Sequence, residues 1–400
     1  MAIEVVQMIA FHWMERAEDV VALALSSKTV YGKVFGVLGE ENAYDRDQHR
    51  AVAGIEYCMQ QGWWRGARLA VERGYGDPSI EVDVGFVPAH PLTVASGMGE
   101  VELVRTLLRH PGVDPGVGNN RAMKRAARAG RVEVVRLLLQ DDRAHPAEEG
   151  DNYAIELAAH YGHTEVVELL LGDPRVDPCG NNNYCIRYAA REGHVDIVRL
   201  LLGDPRVDPA GEESQALCGA VEMGHIDVAK LLLEDGRVDP SASDDTPIRW
   251  AIDREDTEMT FLLLRHEMFD EETRDLDVIV WAASWTACET GQVLKALLED
   301  ESLYDTLDWG SFGYALSVAC LEGSVNVVSL LLEDTHKRAD PCYGDNEPLA
   351  GAILNGHIII VGLLLKDGRV DRRVALELAE QHGCYERVKA LVDSLPLVVE

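Results

Sequence analysis

Two histidines three residues apart, His160 and His163, form the spacing most suggestive of a metal pair in this chain. His163, however, is one of four histidines that recur after glycine, with His194, His225 and His357, and so reads as a turn residue that hydrogen-bonds locally. A His-Glu-x-x-His zinc helix is missing, because His266-Glu267-Met268-Phe269-Asp270 lacks the second histidine. Gly97-Met98-Gly99 lacks the third glycine of a dinucleotide loop, and no Gly-x-Ser-x-Gly elbow occurs. The cysteines at 58, 179, 185, 218, 288, 320, 342 and 384 include no Cys-x-x-Cys pair, the spacing a zinc site uses. They read as small packing residues kept as thiols, which points to a reducing compartment, cytoplasmic or nuclear, and to a chain that is not secreted. Carboxylates such as Asp177, Asp208 and Asp239 recur with a fixed beat, which is structure and solubility rather than a general-acid pair. No catalytic residue, metal site or cofactor follows from these patterns, and the chain reads as a non-enzyme.

The elements that would position any functional residue come from a repeat. Arg-Val-Asp-Pro stands at 175–178, 206–209 and 237–240, each copy 31 residues after the last. Looser copies begin at Gly112, Arg338 and Arg369. Glycine followed by an apolar run starts at Gly99, Gly130, Gly162, Gly193, Gly224, Gly323 and Gly356, with Glu255 and Glu289 standing in the glycine place between them. One repeat is legible in full. Tyr184 to Arg191 reads as a short helix, Gly193 as the left-handed turn that ends it, and Val195 to Leu202 as a second helix with apolar residues on more than one face. Asp204-Pro205-Arg206-Val207-Asp208-Pro209 cannot be helical, because its prolines fix φ and remove donors. So small a module buries its apolar faces only by stacking on copies of itself.

The Ala-Ala pairs at 126–127, 158–159 and 189–190, the Gly-His turns and the Leu-Leu-Leu ends resemble the ankyrin repeat from about residue 50 to 393. The Thr-Pro-Leu-His signature of that family survives only as Thr246-Pro247-Ile248-Arg249 and Glu347-Pro348-Leu349-Ala350, and Tyr153, Tyr184 and Tyr314 take the threonine place elsewhere. The resemblance implies an all-α ankyrin-repeat solenoid of about ten helix-turn-helix units over residues 41–400. The stretch from 255 to 323 is expected to be distorted, or to mark a boundary between two stacks. A truncated last repeat is expected after Gly383.

Residues 1–40 do not fit the repeat. Their order, Met1-Ala2-Ile3-Glu4, an apolar helix, an acidic break, a Leu/Ala helix and then Ser27-Lys28 before Tyr31, resembles an F-box segment without its usual proline. That resemblance implies that Ile3, Val6, Ile9, Val20, Leu23 and Leu25 contact a Skp-type adaptor of a cullin ubiquitin ligase, with the repeats choosing a protein substrate. The alternative is a helical cap on the first repeat of a stand-alone scaffold or inhibitor.

The 69 acidic against 37 basic residues leave a formal charge of −32, which excludes a general nucleic-acid binder and disfavours anionic membranes. No apolar run reaches the roughly 20 residues of a membrane span. In an ankyrin-like stack the concave face carries the partner. The two positions before each glycine place Arg128, His160, Tyr161, Arg191, Glu192, Glu222, Met223, Asp253 and Arg254 there, and the connector tips add Asn120, Asn152 and Asn183. The acidic field favours a partner with basic patches.

Overall fold

The computed structural model describes residues 55–395, apart from 57, 61, 63, 73, 75–76, 84–87, 147–151, 267–270, 285–290 and 301–308. Side chains are described throughout that range except at 83, 88, 242–245, 271–277 and 309–310. The chain divides into two compact units, one ending at Asp208 and one beginning at Pro209.

In the first unit, a lead helix α1 (Trp64–Glu72) is followed by four helix pairs among the described residues: α2 (Pro91–Met98) with α3 (Val101–Leu108), α4 (Val117–Arg128) with α5 (Val132–Leu139), α6 (Tyr153–His160) with α7 (Thr164–Leu171), and α8 (Gly180–Arg191) with α9 (Val195–Leu202). The first helix of each pair packs on the first helix of the next, and the second on the second, so α2, α4, α6 and α8 form one layer and α3, α5, α7 and α9 the other. Two-residue strands β1 (Val82–Asp83) and β2 (Pro88–Ala89) pair antiparallel, with Val82 opposite Ala89.

The second unit repeats the plan. Its inner layer is α10 (Gly211–Met223), α12 (Ala242–Asp253), α14 (Glu271–Ser284), α16 (Trp309–Glu322), α18 (Tyr343–Leu354) and α20 (Arg372–Gln381). Its outer layer is α11 (Ile226–Glu234), α13 (Thr257–Leu264), α15 (Gln292–Glu299), α17 (Val325–Glu333), α19 (Ile358–Asp367) and α21 (Tyr385–Ser394). Each unit is thus an all-α repeat solenoid.

The core is the seam between the layers. The alanine pairs at 126–127, 158–159 and 189–190 are fully buried, because only a methyl side chain lets adjacent inner helices approach closely. Val166, Val167 and Leu170 on α7, and Ile197, Val198 and Leu201 on α9, fill the opposite wall at 0% exposure.

The glycines before the second helices are left-handed, with φ +67° at Gly130, +79° at Gly162 and +78° at Gly193. Glu255 takes the same conformation at φ +53° despite its side chain. The other expected stand-in, Glu289, lies outside the described residues, and the left-handed residue before α15 is Gly291 at φ +62°. Both layers continue through α13, α14 and α15, so the expected boundary within 255–323 is not where the chain divides; the division falls at Asp208–Pro209. Of the tryptophans there, Trp281 lies under the Arg249 guanidinium at 4.3 Å from its ring centroid, while Trp285 and the Trp309 side chain lie outside what is described.

Candidate functional site

Three kinds of polar residue recur in the repeat, and the structure gives each a role between neighbouring repeats. The first is the histidine after glycine. His163 Nε2 lies 2.8 Å from the carbonyl oxygen of Arg128, His194 Nε2 3.0 Å from that of His160, and His357 Nε2 3.2 Å from that of Leu321. These bonds reach the inner helix of the preceding repeat, so the expectation of local bonding is corrected. The physical reason is that each imidazole enters the space left by a glycine. A Cβ on Gly130 would stand 2.6 Å from His163 Nδ1, and one on Gly162 2.7 Å from His194 Cε1. These histidines are tied to backbone carbonyls, and among the described residues no cluster of three or more potential metal ligands occurs.

The second is the connector arginine. Arg143, Arg175 and Arg206 each pair through two nitrogens with the aspartate two residues earlier, Asp141, Asp173 and Asp204. Each also donates Nη1 to a carbonyl one repeat back: Val113, Ala144 and Val176 at 2.8, 3.1 and 2.8 Å. The guanidinium holds all three carboxyls below the ordinary aspartate range. The Arg338–Asp334 pair is the buried version, with Arg338 Nη2 reaching the Leu298 carbonyl at 2.8 Å.

The third is the asparagine at the start of α4, α6 and α8. Residues 118–120 and 181–183 run left-handed, a conformation that glycine and asparagine tolerate best. Asn120 and Asn152, expected on the exposed tips, are instead 3% and 2% exposed. Their Oδ1 atoms accept from the backbone N–H of His145 at 3.2 Å and of Asp177 at 2.9 Å. Asn183 is half-buried and accepts from Asp208 N at 3.3 Å. Burial and these bonds remove Asn120 and Asn152 from the surface that a partner reaches, while Asn183 keeps part of its surface. The repeat spacing of 25 residues between each asparagine and its connector was the sequence signal for this role.

The remaining positions stay at the surface. In the first unit Arg128, Tyr161, Arg191 and Glu192 are exposed and His160 is half-buried. In the second, Met223 and Arg254 are exposed, and Glu222 and Asp253 half-buried. The first-unit residues meet in a row of rings and cations across α4, α6 and α8. Lys124 Nζ lies 4.9 Å from the Tyr153 ring centroid and Arg128 Cζ 5.0 Å from that of Tyr161. His160 touches Tyr161 and stacks on Tyr188 at 5.1 Å, and Tyr188 stacks on Tyr184 at 3.9 Å. Burial and the neighbouring Tyr188 push the Tyr184 phenol up to about 12, so it stays neutral at any physiological pH. Tyr184 and Tyr188 enter the sequence reading only as repeat residues, yet the i, i+4 spacing of Tyr184 with Tyr188 and of Arg187 with Arg191, each ring three residues before an arginine, puts rings and cations on one face of the helix.

The six expected adaptor contacts, Ile3, Val6, Ile9, Val20, Leu23 and Leu25, lie outside the described residues.

Two layers of short antiparallel helices, joined by glycine turns and extended Asp-Pro connectors, define an ankyrin-type array. A family model for ankyrin repeats matches the chain in three overlapping stretches, residues 140–211, 155–244 and 186–275. The chain therefore carries ankyrin repeats, on either side of the division at Asp208–Pro209. No curated protein matches the chain. Among the described residues no helix is long and apolar enough to cross a membrane.

Proposed function

We propose that the protein is a non-enzymatic recognition module whose repeats bind a protein substrate, and whose residues 1–40 form a separate segment ahead of an array over 41–400. The row of exposed and half-buried rings and cations on α4, α6 and α8 carries the first part. Tyrosine and arginine are the usual anchors of protein interfaces. Arg128, His160 and Tyr161 stand at the positions that the repeat frame leaves free, while the frame's recurring histidines, connector arginines and asparagines are used in holding repeats together. Ankyrin repeats are a protein-binding framework, which agrees with that reading.

The F-box-like order of residues 1–40 supports a finer reading: a substrate adaptor in which Ile3, Val6, Ile9, Val20, Leu23 and Leu25 engage a Skp-type adaptor of a cullin ubiquitin ligase. Pull-down of a purified Skp-type adaptor by the full chain tests it, against a full chain carrying Ile3→Asp, Val6→Asp and Ile9→Asp. Capture by the first and not the second is expected, with unchanged far-ultraviolet circular dichroism. A full chain that captures no adaptor ends the ligase reading and leaves the scaffold or inhibitor alternative.

A further inference from the structure

The inner layer of the second unit shows leucines to solvent where other repeats place polar side chains. The place two residues before the turn holds Arg128, His160, Arg191, Glu222 and Asp253 from α4 to α12. In α16 and α18 it holds Leu321 and Leu354, which are 50% and 61% exposed. Stacking therefore does not call for a leucine there, and exposed apolar surface of this kind gains from being covered.

The two leucines belong to one patch. A Cβ at Gly351 would stand 3.4 Å from Leu321 Cδ1 and 3.5 Å from its Cα, so Leu321 lies directly against α18, one turn before Leu354. Along α16, Tyr314, Val318 and Leu321 follow at i, i+4 and i+7 and so share a face. Tyr314 is 48% exposed and Val318 half-buried. Val374 and Leu378 of α20, both half-buried, stand nine and five residues before Gly383, as Tyr314 and Val318 do before Gly323, and extend the apolar surface.

The charge that borders this patch is mainly negative. Helices α16 and α18 carry Glu322, Asp345 and Glu347 and no cation. Glu322 and Glu347 are exposed, and among the described residues neither is in an ion pair. Partial burial pushes the Glu322 carboxyl up from its ordinary value, and among the described residues no cation brings it down. On α20, Glu377 and Glu380 are exposed as well. Of the cations on adjoining elements, Arg338, Arg369 and Arg373 pair with Asp334, Asp367 and Asp371, and Arg249 lies over Trp281. Lys337 precedes α18 and Arg372 begins α20, at the ends away from Leu321 and Leu354.

We infer that this face binds a protein segment in which aliphatic side chains are flanked by lysine or arginine, an inference that rests on the protein-recognition reading above and adds a second contact face to it. The aliphatic side chains would cover Leu321, Leu354 and the Tyr314 ring, and the cations would meet Glu322 and Glu347 at the border. Tyr314 and Leu321 are about 10 Å apart along their helix, and three inner helices roughly 10 Å apart span about 20 Å. That area suits a short segment rather than a folded domain. Nucleic acids and anionic lipid surfaces are disfavoured, because their phosphates would meet Glu322 and Glu347.

Selection of a random dodecapeptide display library on the full-length chain, followed by depletion against the full-length Leu321→Ser, Leu354→Ser variant, tests this. Both leucines are exposed, so the variant should keep the native circular dichroism and urea midpoint. Peptides that the variant does not remove are expected, rich in Lys and Arg with interspersed aliphatic residues. In fluorescence anisotropy the double leucine change should weaken such a peptide by about ten-fold or more, and Ile359→Ser, equally exposed on the outer helix, by less than about two-fold. Glu322→Lys with Glu347→Lys should weaken it by about five-fold or more and flatten its salt dependence. Enrichment on the native chain with every peptide removed by the variant overturns this face and leaves protein recognition standing. Remaining peptides that are neutral or acidic overturn the basic assignment alone. No enrichment on the native chain counts against both readings. Self-association of the full chain that the double leucine change abolishes reassigns the face to a second copy.

Discussion

The imidazole of His194 occupies the space that a side chain on Gly162 would need. A Cβ at Gly162 would lie 2.7 Å from His194 Cε1, and the ring's Nε2 stands 3.0 Å from the carbonyl of His160, in the same turn as that glycine. The left-handed φ of +79° and the missing side chain are thus two separate demands on one residue. Gly162→Ala is expected to destabilise the chain by about 2–4 kcal/mol, combining left-handed strain with overpacking. Gly356→Ala, at φ +73° with open space around it, should cost only the strain, about 1–2 kcal/mol. Combining Gly162→Ala with His194→Ala should cost less than the sum of the two single changes. Additive losses in denaturant unfolding would show that ring and glycine do not compete for the space.

Leu201 tests whether the outer layer is packed on both sides. It is 0% exposed on α9, which lies against α7 and α8. Leu201→Ala should cost about 2–5 kcal/mol, the range for a buried leucine whose cavity cannot close. A loss under about 0.5 kcal/mol, the size of an ordinary surface change, would mean that the helix is peripheral.

The repeat period, the helix pairs and their glycine turns are legible in the sequence because each is local: a glycine at φ > 0 and an apolar run of eight residues announce themselves within one module. What joins the modules is legible only in part. Arg175 and His194 stand out by recurrence, but their partners in the preceding repeat are backbone carbonyls, which carry no sequence signal. Hence His163 and His194 read as local turn residues although they bond to the previous repeat. The asparagines mislead for the same reason: Asn120 and Asn152 look like polar loop tips until the connector N–H that each satisfies comes within reach. The exposed positions before each glycine follow from the frame. The His160–Tyr161 and Tyr184–Tyr188 contacts lie within single repeats, but the stacking of His160 on Tyr188 needs the spacing between α6 and α8, which no single repeat contains.

The thiols provide a chemical probe of the seam. Cys185 and Cys320 are buried, and desolvation pushes Cys320 up to about 12 and Cys185 higher still. Since the thiolate is the reacting form, iodoacetamide at pH 8 should leave both unmodified in the native chain and alkylate both after unfolding in guanidinium, read by peptide mass mapping. Native-state alkylation at the rate of a free thiol would place either residue outside the core.

The Asp173–Arg175 clasp makes part of the first unit's stability depend on pH. Arg175 donates to both carboxylate oxygens at 2.9 and 2.7 Å and to the carbonyls of Ala144 and Leu139 at 3.1 and 3.2 Å. Arg175→Ala should cost about 1–3 kcal/mol, because charge-assisted bonds to two repeats are lost together. Lysine cannot restore them, having a point charge in place of a fork. The hydrogen bond from Arg175 is the main cause that lowers the Asp173 pKa, working against partial burial. A carboxyl depressed in the folded chain contributes fully above its unfolded value, near 3.8, and its contribution is lost as pH falls through the lower folded value. The stability gap between the native sequence and Asp173→Asn should therefore be constant from pH 7 to about 5 and shrink from about pH 4 downward. Urea midpoints measured across that range provide the check, and a gap that grows on acidification would show that the aspartate is not held as the anion.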